Sequence, residues 1–217
     1  MASPLSQIFE DTALEERIRN KLPYLFNIAE IESSRAGKIG MEVGSLRERI
    51  VIALLMYKFG KDNVETDIPI TTPEMDVKLY GQPISIKTIT GLSGVKVIWT
   101  IDAQKAMEFF NSYYPKCEMM LIQIKWDLKE KDLNKGIHPG GLFYMPLEVQ
   151  KEVLTEIGKE KYLRLPKIGT NPRGVEISGL ALRKLLLHEN SKCIKIIWKH
   201  SQIKYDPYKR WMDYWKE

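Results

Sequence analysis

Glu48, Asp76 and Lys87 are the residues whose types and spacing can act on a phosphodiester: an acid, a second acid 28 residues later, and a lysine 11 further on. A phosphodiester resists attack because its own charge repels hydroxide. A hard divalent cation held by carboxylates relieves that repulsion and acidifies a water. Asp76 is expected to ligate Mg²⁺ together with the main-chain carbonyl of Ile86, and Glu48 to supply a second anionic contact. Lys87 is expected to position or deprotonate the attacking water and offset charge on the pentacovalent phosphorus. The competing reading is plain: Asp76 and Lys87 as an exposed cross-strand ion pair, worth at most about 1 kcal/mol, and Glu48 as a helix-surface acid paired with Arg47 or Arg49.

The elements that must position these groups are legible from periodicity. Met75 to Tyr80 and Pro83 to Thr88 alternate with period two and flank Gly81-Gln82, the pattern of a β-hairpin. A turn at those two residues sets Tyr80 opposite Pro83 and Asp76 opposite Lys87. Asp76, Lys78, Tyr80, Ser85 and Lys87 then share one face, with Val77, Leu79, Ile84 and Ile86 on the other. Val43 to Phe59 reads as a helix stopped by Gly60 and apolar on nearly every side from Ile50 to Met56, hence a buried core helix. It carries Glu48 along an apolar flank and Glu42 on another side.

Around this core the chain alternates helices and strands. A helix over Ala13 to Leu22 precedes the basic glycine loop Ser33 to Gly40. A third strand over Lys96 to Thr100, a helix over Asp102 to Tyr114 and a fourth strand over Met119 to Trp126 follow the hairpin. Leu142 to Met145 (strand), Leu147 to Ile157 (helix), a loop around Thr170 to Gly174, Gly179 to His188 (helix) and Cys193 to Trp198 (strand) complete the series. The expected fold is therefore α/β, a mixed sheet flanked by helices, within one domain of 217 residues.

Composition narrows the chemistry further. Residues 161 to 217 hold 13 basic and 5 acidic groups, net +8, against −3 over residues 1 to 160, so the overall +5 is a C-terminal surplus. That surplus, interleaved with Trp198, Tyr205, Tyr208, Trp211, Tyr214 and Trp215, suits a polyanion or a packed tail equally. No apolar run approaches a membrane span and no export signal opens the chain, which makes the cytoplasm the expected compartment. Two cysteines 76 positions apart and three isolated histidines offer neither a disulfide framework nor a zinc site. Walker-type and G-x-S-x-G motifs are missing. Asp76-Val77-Lys78 and Asp127-Leu128-Lys129 spell D-x-K, yet neither brings a second strand's lysine to an aspartate.

The order of Glu48, Met75-Asp76 and Ser85-Ile86-Lys87 resembles the PD-(D/E)XK nuclease superfamily, and within it the type II restriction endonucleases. The resemblance runs the whole chain, residues 1–217, as a nuclease domain. Residues 1–41 would hold N-terminal helices and the basic loop, 42–126 the catalytic core, and 161–217 the basic C-terminal region. Two positions depart from the pattern: Met75 stands where a proline would be, and Ser85 where an acid would precede the lysine by two. Glu48 would replace that missing carboxylate.

The resemblance implies an Mg²⁺-dependent homodimer acting on double-stranded DNA at a short palindrome, CGCG cut to blunt ends. It also gives Met41, just ahead of the catalytic helix, a role as an apolar wedge between base pairs from the minor groove. Arg35 and Lys38 are the expected phosphate or groove contacts nearby, with Asn171 and Arg173 as a second candidate loop. A junction resolvase, or a DNA-binding protein without activity, would show the same core.

Overall fold

The computed structural model describes residues 3–35, 38–39, 42–69, 72–166 and 174–216. The expected Met41 wedge and the Asn171 and Arg173 contacts lie outside them, as does side-chain placement for Arg35, Lys38 and Glu42.

A 3-10 turn over Pro4–Phe9 leads into α1 (Thr12–Ser33), capped by the Asp11 carboxylate accepting from the Leu14 amide at 3.0 Å. Expected over Ala13 to Leu22, this helix runs on past Pro23 because Phe26, Ala29 and Glu30 are buried on it. Two short strands, β1 (Ser34–Arg35) and β2 (Lys38–Ile39), pair antiparallel, with Arg35 opposite Lys38. Then come α2 (Glu42–Phe59), β3 (Val64–Glu65), β4 (Val77–Leu79), β5 (Gln82–Ile89) and β6 (Gly94–Ile98). The chain continues through α3 (Ala103–Ser112), β7 (Glu118–Gln123), α4 (Glu130–Asn134), β8 (Gly141–Met145), α5 (Leu147–Ile157) and α6 (Lys159–Tyr162). It closes with β9 (Leu163–Arg164), β10 (Val175–Ser178), α7 (Gly179–Leu187), β11 (Lys192–Lys195) and α8 (Lys209–Tyr214).

The central sheet has the order β11-β8-β7-β5-β4-β3, antiparallel throughout except for the parallel pair of β5 and β7. The α/β fold with a mixed central sheet flanked by helices is the one expected. β7 is buried from Met119 to Gln123, on both faces, because a core lies on each side of the sheet. One core joins α1 and α2 to Val77, Leu79, Ile84, Ile86, Met120 and Ile122. The other joins Met119, Leu121 and Phe143 to α5, α7 and the strands β6 and β10.

Three expectations are corrected. The hairpin turn is Tyr80-Gly81, both at positive φ (50° and 76°), the backbone of a type I′ turn, so Val77 pairs with Ile84 and Lys78 with Pro83. The register thus slips by two from the expected one and places Asp76 opposite Ser85. A slip of two keeps every side chain on its expected face. Next, the strand expected over Lys96 to Thr100 is Gly94–Ile98 and does not extend the hairpin. It pairs with β10 in a separate three-stranded sheet, β6-β10-β9. Finally, α2 is buried along one stripe, Arg47, Val51, Leu55 and Phe59. Ile50, Ile52, Leu54 and Met56 are partly covered and Tyr57 is 62% exposed, so the helix lies against the sheet with a wet side rather than inside the core.

Candidate active site

Asp76 sits just before β4, where its amide donates to the Ile84 carbonyl at 3.0 Å and continues the hairpin ladder past its formal end. Its Oδ2 accepts from the Ile86 amide at 2.6 Å, from Lys87 Nζ at 2.7 Å and from the Ser85 hydroxyl at 3.3 Å. The register explains the convergence: Ser85 is the cross-strand neighbour and Lys87 the diagonal one, both on the Asp76 face. The ion pair is no surface pair, since the lysine and aspartate side chains are only 17% and 19% exposed. Ser85, fully buried, thus takes the place of an acid as a prop for Asp76.

Glu48 lines the same cleft, of about 850 Å³, as Asp76, Ile86 and Lys87. Burial, reinforced by the charge of Asp76, pushes its carboxyl above the usual range, while Lys87 and Arg49 pull it back. The two acids therefore sense one another across the cleft. The alternative partnership with Arg47 does not occur, because Arg47 turns inward to Glu30.

Glu74 is a member of this site that the sequence reading missed. It lines the cleft, is 9% exposed and occupies the left-handed region at φ 64°. Burial raises its carboxyl to about 7, against the opposing influence of Tyr113, Lys87 and Lys116, with Asp76 adding to the rise. Extending the period-two alternation one step upstream of Met75 would have placed Glu74 on the Asp76 face.

Behind the site, Glu30 collects three partners. Arg47 ion-pairs with it, the Trp126 indole donates to Oε1 at 2.6 Å, and His200 Nε2 lies 3.3 Å from Oε2. His200 also stacks on Trp126, ring centroids 4.2 Å apart, and contacts Asp127 at 2.5 Å. Burial alone would lower its imidazole; the bonds to Asp127 and Glu30 raise it above the ordinary value. His138 and His188 likewise each accept a backbone amide through Nδ1. Each of the three histidine rings is thus held by neighbouring groups, and Asp127 pairs with His200.

Glu48 and Asp76 offer hard oxygen donors facing one cleft, which suits a hard divalent cation. Among the described residues no three His, Cys, Asp or Glu side chains come together to hold a metal alone. The contact Ile86 makes with Asp76 is through its amide.

A mixed sheet whose leading hairpin carries a half-buried lysine–aspartate pair, with a helix glutamate lining the same cleft, marks a candidate nuclease of the restriction-endonuclease class. The comparisons with known proteins agree. The family profile of restriction endonuclease ThaI matches residues 8–217, and the chain belongs to that restriction endonuclease family. A solved structure described as a restriction endonuclease in complex with substrate DNA superposes with a TM-score of 0.86, at 51% identity over 99% of each chain. No curated protein matches the chain.

Proposed function

We propose that this chain is a type II restriction endonuclease of the PD-(D/E)XK kind, a single nuclease domain working in the cytoplasm. It hydrolyses double-stranded DNA at a short palindrome, CGCG cut to blunt ends, as a homodimer whose twofold axis matches that of its target. The observation that carries the reading is the half-buried Asp76–Lys87 pair in a cleft shared with Glu48. The 51% identity to a restriction endonuclease bound to its substrate DNA supports DNA as the ligand of this chain too.

In this reading Asp76, Glu48 and the Ile86 carbonyl would hold Mg²⁺. Bound there, the cation would offset phosphate charge and acidify a water. The chain's own contribution is positioning and electrostatics. The Ile86 amide and Ser85 hydroxyl fix the Asp76 carboxylate, and Asp76 in turn fixes the Lys87 ammonium. Lys87 Nζ then orients the attacking water and donates to the phosphoryl oxygens on which charge builds. Arg35, Lys38, Asn171 and Arg173 would contact the duplex, and Met41 would wedge between base pairs. No residue forms a covalent intermediate.

Incubation with plasmid DNA and Mg²⁺ tests the proposal. The parent should yield discrete fragments, and Lys87→Ala and Glu48→Gln should yield none. Equal cutting by Glu48→Gln would transfer the second-acid role to Glu74. Preference for four-way junctions over linear duplex would replace restriction by resolution, and tight binding without cleavage by the parent would leave an inert binding protein.

A further inference from the structure

We propose that Lys96 and Trp99, on the wall of the cleft built by the three-stranded sheet, form a ledge that grips the DNA strand entering the active site. Lys96 Nζ would take a backbone phosphate, and the Trp99 ring would lie against the adjoining sugar. The inference rests on the restriction reading and adds to it a contact that none of the expected DNA-binding residues supplies.

Both residues line the cleft that also holds Glu48, Asp76 and Lys87, but they come from β6 and the residue just after it, not from the catalytic hairpin. Trp99 is 63% exposed, and Ile101 beyond it is 84% exposed. Tryptophan, with an apolar body and a polar N–H, is enriched where partners bind, and this indole is left largely in water on the wall of the cleft. Lys96 Nζ stands 3.8 Å from the Trp99 ring centroid, so the aromatic face presents its cation at a defined place. The cross-strand neighbour of Lys96 is Glu176, whose carboxylate is engaged by Arg164.

The chain around this point reinforces the assignment. Gly174 sits so close to the Ile98 carbonyl and the Trp99 Cα that a Cβ there would clash at 1.7 Å and 3.0 Å. Gly174 therefore lies directly beside Trp99. An ammonium held beside a largely exposed indole matches a duplex backbone, which offers a phosphate next to an apolar sugar face; a protein partner would not require both. Continuity with the catalytic cleft selects duplex DNA over a second copy of the chain.

The test measures binding of a fluorescein-labelled duplex carrying CGCG by full-length protein in EDTA across a salt series, together with steady-state cleavage in Mg²⁺. Lys96→Ala should weaken binding about tenfold and reduce the slope of log affinity against log salt by about one, with Lys96→Arg restoring both. Trp99→Ala should weaken binding about tenfold, Trp99→Phe much less, and the cleavage deficit should fall on KM more than on kcat. Unchanged affinity and salt slope in the alanine variants of a parent that binds duplex overturns the ledge alone. Loss of the dimer by Trp99→Ala, with DNA affinity per folded dimer retained, overturns it in favour of a contact between copies. A parent that neither binds nor cuts duplex overturns the restriction reading and the ledge with it.

Discussion

At the scale of single residues, the site is a set of charges whose burial decides their behaviour. Glu74 ionises near 7 in the folded protein against 4.5 for an ordinary glutamate, and burial is the main cause. A carboxyl raised on folding leaves stability intact below its unfolded value and removes it as pH climbs through the folded one. The metal-free parent should therefore lose about 3 kcal/mol from this group between roughly pH 4.5 and 7. Glu74→Gln should flatten that slope, an outcome read by urea unfolding in EDTA at pH 5 and pH 8. Equal slopes in parent and variant would show the acid to be solvated. Glu74 escaped the sequence reading because the expected strand began at Met75, whereas Asp76 and Lys87 were legible: alternation alone assigns them to one face. The prop supplied by Ser85 was not legible, since nothing in a hydroxyl's neighbours along the chain reveals a carboxylate across a ladder.

At the scale of elements, the accuracy of the hairpin reading turns on parity. A turn placed one residue late, at Gly81-Gln82 instead of Tyr80-Gly81, shifts the register by two and leaves every face unchanged. A slip of one would have turned Asp76 into the apolar core. The burial of α2 was overstated because an all-round apolar run does not say how many neighbours will cover it, and Ile50 to Met56 are in fact covered along one side. What fixes the start of that helix is long-range: Arg47, adjacent to Glu48, is buried against Glu30 of α1. Glu30→Ala would leave this guanidinium buried without its partner, and should destabilise the protein by about 3 kcal/mol in urea unfolding. A loss under about 1 kcal/mol would mean the pair is dispensable. Trp126 and His200 share the same carboxylate, so the C-terminal segment is tied to α1 and, through Arg47, to α2, which carries Glu48.

At the scale of the whole molecule, two cores grip one sheet, and the cleft opens between the β4–β5 hairpin and the smaller sheet. The alternation of strands and helices was enough to expect the mixed sheet. It was not enough to separate β6 from it, because the pairing of Gly94–Ile98 with Val175–Ser178 spans about eighty residues and leaves no local trace. The basic tail divides the same way: Trp198 is buried between Phe26 and Trp126, while Trp215 is exposed, and composition could not tell inner from outer aromatics. On the proposed function, Lys87 held by Asp76 drives phosphodiester hydrolysis. Single-turnover cleavage of a short CGCG duplex, enzyme in excess, measures it directly. Lys87→Ala should cut at least about a thousandfold more slowly than the parent while still binding the duplex; a rate within tenfold of the parent would contradict the account.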